Sequence, residues 1–136
     1  MKTKNKIELI GFVGGDPVTR QTADGTPVTQ FSIATTERWK GKDDQPREHT
    51  EWHRIVFFGP PAKQLADFLR KGSFVSIEGS LRSRTYEKDG VTRTATEVRG
   101  TEYWLLDRRP GSGDVSAPDG AEPPLHDGPA DDDLPL

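Results

Sequence analysis

In the stretch Thr50 to Phe58, and again in Phe74 to Glu87, aromatic and arginine side chains gather at positions of one parity. The first carries Trp52, Arg54 and Phe58, the second Arg82, Arg84 and Tyr86. Alternate residues of extended backbone share one face, so each stretch sets rings and guanidinium groups side by side. A core face takes aromatics without arginine, and a solvated face takes arginine without a Trp and a Phe. A face with both suits a partner that is flat, apolar and anionic. Unpaired nucleic acid is such a partner: a base stacks on an aromatic ring for about 1–3 kcal/mol while Lys and Arg meet the phosphates. Trp39, with Arg38, Lys40 and Lys42 around it, repeats the combination. Such chemistry needs rings open to solvent, reads no base edge, excludes duplex and weakens as salt rises. The alternative is a protein-interaction module whose rings are covered by a subunit or partner.

Other chemistry is harder to assemble. His49, Glu51 and His53 fall at alternate positions, but two His and one Glu make an incomplete metal shell, and no nucleophile stands beside them. His53 reads as structural, and no catalytic or metal residue and no cofactor is assigned. Gly11 to Gly15 lacks the Lys-Ser/Thr of a phosphate-binding loop and opens no helix. The absence of Cys excludes disulfides, Cys-ligated metal and thiol catalysis. No helix with base-edge residues favours a duplex-reading factor. A metal-dependent nuclease would need a carboxylate-rich site that the sequence does not supply.

The elements that must position these residues follow from periodicity. Ile7, Leu9, Gly11 and Val13 alternate as a first strand, ended by Gly14-Gly15-Asp16-Pro17. A second runs from about Val28 to Arg38, with Thr29, Phe31, Ile33 and Thr35 on one face. The polar stretch Lys40 to His49 reads as a loop, and Thr50 to Phe58 as the third strand. Pro60 to Lys71 reads as a short helix with prolines in its first turn and Gly72 as its stop. Phe74 to Glu87 and Thr92 to Leu106 pair through Asp89-Gly90, a strong hairpin turn. Five strands with one helix between strands three and four predict an all-β protein, a five-stranded OB-fold Greek-key barrel.

Charge divides the 136 residues. All 19 Lys and Arg precede residue 110 against 15 acids, a balance of +4; residues 110–136 carry seven acids and no base, −7. The last 27 residues also hold six Pro and four Gly, with Val115 as the one aromatic or β-branched residue. Too little apolar surface is present there to offset ordering entropy. The expectation is a domain over 1–109 and a disordered acidic tail over 110–136 reaching about 30 Å. No apolar run approaches the roughly 20 residues that span a bilayer. Lys2, Lys4 and Lys6 precede an apolar stretch broken by Glu8 and Gly11, which is no secretory segment, so a cytoplasmic location is expected.

The strings Asn5-Lys6-Ile7-Glu8-Leu9-Ile10-Gly11, Gly15-Asp16-Pro17, Thr50-Glu51-Trp52-His53-Arg54, Phe58-Gly59, Leu69-Arg70-Lys71-Gly72-Ser73, Ile77-Glu78-Gly79, Leu81-Arg82-Ser83-Arg84 and Thr96-Glu97-Val98 resemble the bacterial single-stranded DNA-binding protein family. The likeness runs in order from 4 to 109. Asp131-Asp132-Asp133-Leu134-Pro135-Leu136 is similar to the family's acidic peptide that docks onto replication, repair and recombination proteins. The resemblance implies an OB-fold homotetramer that coats single-stranded DNA without catalysis, associated with the nucleoid. It places DNA-stacking rings at Trp39, Trp52, Phe58 and Tyr86, basic contacts at Arg54, Lys71, Arg82 and Arg84, and a subunit contact at His53; Lys40 adds to the basic track beside Trp39. Tyr86 stands where the best-known members carry Trp, and Pro60 and Thr85 where they carry Lys, which implies weaker or more salt-sensitive binding. Leu136 replaces a Phe and the tail is short, as would suit a paralogue from a mobile element or phage.

Overall fold

The computed structural model describes residues 1–107; the acidic tail, its Asp131 to Leu136 tip and His126 lie outside them. The chain forms β1 (Ile7–Val13), β2 (Val18–Gln21), β3 (Pro27–Lys40), β4 (Pro46–Phe58), α1 (Pro60–Phe68), β5 (Phe74–Lys88) and β6 (Val91–Leu105). The five long strands run in the order β1-β5-β6-β4-β3, and a β1–β3 pairing closes them into a barrel. All neighbours are antiparallel except β4 and β6. This is the OB arrangement, with α1 between the third and fourth long strands. No described helix is long and apolar enough to cross a membrane.

Inward-facing alternate residues fill the barrel: Phe31 and Ile33 from β3, Ile55 and Phe57 from β4, Val75 and Ile77 from β5, Val98 from β6. Phe31 and Phe57 lie nearly parallel at 6.3 Å, and Tyr103 meets Phe57 edge-on at 5.8 Å. Helix α1 closes one end by burying Ala62 and Leu65, and Thr29 Oγ1 donates to the Ala62 carbonyl at 2.6 Å. Closure rests on two residue pairs, Phe12 with Ala34 and Val13 with Ile33. Gly11 permits it, since a Cβ there would sit 2.2 Å from the Ala34 carbonyl oxygen.

Three elements differ from the sequence reading. β2 is an additional four-residue arm on β3, outside the closure. The stretch Lys40 to His49 is no loop: β3 continues to Lys40 and β4 begins at Pro46, leaving a turn over 41–45 with Asp44 at φ 62°. Polar residues cover both sides of this ribbon, which hides its period. Its strands are joined by the backbone ladder and an Arg38–Glu48 ion pair at 3.0 Å, and Arg47 pairs with Asp43 at 2.8 Å. The helix stops at Phe68, short of Lys71. Leu69 turns extended and carries its side chain into the core, and the reversal is completed by Gly72 at φ 89°.

Candidate nucleic-acid interface

Ladder register decides which candidate residues share a surface. In β4 the positions turned away from the barrel interior are Trp52, Arg54, Phe58 and Val56, the last fully covered by its neighbours. Val56 stands beside Arg99 of β6, and Arg99 stands opposite Ser80 of β5. From there the hairpin alternates as Arg82 opposite Glu97, Arg84 opposite Ala95 and Tyr86 opposite Arg93. On the other flank, Ser32 of β3 faces Arg54 and Gln30 faces Val56. Trp52, Arg54, Phe58, Arg82, Arg84 and Tyr86 therefore lie on one continuous outer face across β4, β6 and β5.

The rings differ in access. Trp39 is 50% exposed, but it sits at the far end of the β3–β4 ribbon, on the opposite side from the Trp52 row. Trp52 is half-buried, its indole packed against Gly14, where a Cβ would come within 2.3 Å of it. Phe58 is also half-buried. Tyr86 departs from the expectation of open rings: it is only 8% exposed, with the Arg84 guanidinium 5.6 Å from its ring centre. A base could reach it only after hairpin side chains move.

The basic residues divide similarly. Arg54 and Arg82 are half-buried on the face, whereas the Arg84 side chain is only 11% exposed, its Nε 3.8 Å from Glu97. Lys40 is exposed at the ribbon end, 3.8 Å from Asp44. Lys71 stands apart in the turn after α1, where its backbone N–H donates to Asp16 at 3.1 Å. Two residues to which the sequence reading gave no role complete the layer. Glu97 is 3% exposed among the arginines, and Arg99, 8% exposed, places its guanidinium 4.1 Å from the Phe58 ring centre. A buried carboxylate needs such cationic neighbours. The signal for both was the two-residue Asp89-Gly90 turn, which pairs Lys88 with Val91 and, counted back along the strands, puts Arg82 against Glu97.

His49, Glu51 and His53 form no metal shell; no group of three or more His, Cys, Asp or Glu among the described residues could hold an ion. His49 Nε2 and Glu51 lie 2.8 Å apart, a contact that holds the Glu51 carboxyl below its usual range. His53 instead meets Thr35 Oγ1 at 2.9 Å, and burial pushes its imidazole below the ordinary 6.5, against a smaller opposing pull from Glu51. A base harder to protonate when folded stabilises the fold above its ordinary value, and that contribution is lost as pH falls through it. Thermal unfolding of the wild type is expected to shift downward from about pH 7.5 to about pH 5.5, more steeply than that of His53→Gln. Equal slopes in the two proteins would show that His53 plays no part.

The sequence and the fold have known counterparts. "Single-stranded DNA-binding protein 1" of Xylella fastidiosa (strain 9a5c) is 46% identical over 111 residues, covering 80% of this chain and 82% of that one. A single-stranded DNA-binding protein of Xanthomonas axonopodis pv. citri (strain 306) is 42% identical over 106 residues, covering 77% of this chain and 59% of its own length. Among solved structures, a Plasmodium falciparum SSB complex with ssDNA superposes with a TM-score of 0.73 at 34% identity, covering 79% of this chain and 98% of that one. A deletion mutant of the Thermus aquaticus single-stranded DNA binding protein gives 0.70 at 30% identity, covering 78% and 52%. Residues 4–106 match the family model described as the single-strand binding protein family, and the chain belongs to that family.

Proposed function

We propose that this protein binds and coats single-stranded DNA in the cytoplasm with little sequence preference, protecting the strand, and that it acts stoichiometrically, without catalysis. The observation that carries this is the register that gathers Trp52, Arg54, Phe58, Arg82, Arg84 and Tyr86 on one outer face. Lys40 extends the path along the ribbon on the Trp52 side, Trp39 offers a further exposed ring on the ribbon's other side, and Lys71 adds charge beside α1. The test is titration of intrinsic tryptophan fluorescence with oligo-dT at low salt, where quenching is expected and its absence would overturn the reading. Trp104→Phe should keep the quenching, because Trp104 pairs with Ser76 across from Ile10, on the β1–β5–β6 side of the barrel.

That second side supports a homotetramer. Ile10 and Trp104 are exposed there beside the Phe12–Phe74 ring pair, whose centres are 4.7 Å apart, and such apolar surface favours cover by another protomer. His53 would serve as a further subunit contact. In this reading the tip from Asp131 to Leu136 recruits replication, repair and recombination proteins to the coated strand. The −7 tail is tethered to a +4 remainder, so it competes with DNA for the basic face. Deleting residues 110–136 is expected to raise apparent oligo-dT affinity, most clearly at low salt; unchanged affinity would remove the competition.

A further inference from the structure

The outer face contains a cation that serves the ring next to it. Arg99 projects from β6 in line with Val56 of β4, and its guanidinium lies 4.1 Å from the centre of the Phe58 ring. Arg99 is 8% exposed, whereas Phe58 keeps more of its surface open. A side chain so deeply covered does not lie on the solvent side of that ring. Phe58, itself only partly exposed, is then backed by the guanidinium on its covered side, and a base would meet it on the side that stays open. We propose that Arg99 is a specificity-determining residue for single-stranded DNA, acting through Phe58 to favour electron-rich bases, guanine above all, at that stacking position. This rests on the single-stranded DNA reading given above.

The physical basis is the ring quadrupole. A benzene ring presents negative potential on both faces, and a cation on one face draws π density toward itself. The opposite face becomes less negative, so it stacks more favourably on a base rich in π electrons and gains less on a poorer one. Stacking still tolerates every base; the effect is a bias laid over general binding. Because Arg99 is buried, bulk salt screens this contact far less than it screens the phosphate contacts. The bias should therefore persist at salt concentrations that weaken overall affinity.

The experiment compares full-length protein on two oligo-dT strands, one carrying isolated dG substitutions and one carrying dC at the same positions. Wild type is expected to bind the dG strand about two- to fivefold more tightly. Arg99→Gln should bring the ratio to one, while Arg99→Lys, which keeps the charge, should hold part of it. A purely structural role for Arg99 would lower both affinities together and leave the ratio unmoved. Phe58→Leu keeps the buried arginine and removes the ring, so it too should abolish the ratio, and it serves if Arg99→Gln does not fold. No dG preference in wild type, or a ratio that survives Arg99→Gln or Phe58→Leu, would overturn the proposal. Failure of wild type to bind either strand would instead overturn the underlying reading, and the proposal with it.

Discussion

Trp52→Ala is expected to weaken oligo-dT binding by about 1–3 kcal/mol, roughly five- to 150-fold, with the molecular mass in solution unchanged. Trp52 is placed for this by β4, whose outward row it shares with Arg54 and Phe58, and by Gly14, against which its indole rests. The remaining exposure of the ring is where a base would stack. Removing it subtracts a stacking partner and no charge. The slope of log affinity against log salt should therefore stay constant, whereas Arg54→Met should flatten it by about 0.7 for one single-strand phosphate contact. This pair separates stacking from charge on the same strand. Light scattering decides against the interaction-module alternative: if the indole seals a protomer contact, Trp52→Ala breaks the assembly and DNA binding changes only as a consequence. Intact mass with lost affinity supports the DNA reading, and broken assembly with residual affinity near that of wild type sinks it.

Much of this surface was legible in the chain because period-two patterning fixes faces whenever one side is buried. Ile55 and Phe57 must point inward, which alone sends Arg54 and Phe58 outward, and the same reasoning on Val75 and Ile77 orients Arg82 and Arg84. A strand with no apolar side carries no such pattern. Apart from Trp39, the ribbon from Glu37 to Thr50 carries no large apolar side chain on either side, so only its ladder shows that it is sheet. β2 fails for a related reason: four residues pairing on one side of β3 leave no core pattern to detect. Burial of charge was also beyond reach. Glu97 and Arg99 lie on an outward row, and their coverage depends on how the β5–β6 hairpin packs beside β4, a contact between distant parts of the chain. The low exposure of Tyr86 escapes patterning for the same reason: parity gives its face, while its cover comes from neighbouring side chains.

The largest loss of stability is expected from Phe57→Ala, about 3–5 kcal/mol, a major share of the roughly 5–15 kcal/mol that holds a typical domain together. Phe57 is 1% exposed and is held by Phe31 on one side and Tyr103 on another. Gly100 of β6 closes the third side: a Cβ there would lie 2.3 Å from two atoms of the Phe57 ring. The ring cannot retreat between its aromatic neighbours, so Gly100→Ala should cost about 1–3 kcal/mol by overpacking. The two sites must then couple. Phe57→Leu vacates part of the volume that an Ala at 100 requires, so the double variant should be less destabilised than the two single changes added together. Urea unfolding of the four proteins measures this directly; additivity within about 0.5 kcal/mol would mean that the ring does not dictate glycine at position 100. The coupling also reaches the outer surface, because Gly100 follows Arg99 on the same strand. Gly100→Ala pushes β6 away from β4 at the point where Arg99 backs Phe58, so its dG-to-dC affinity ratio should fall toward one, and Phe57→Leu should restore part of it.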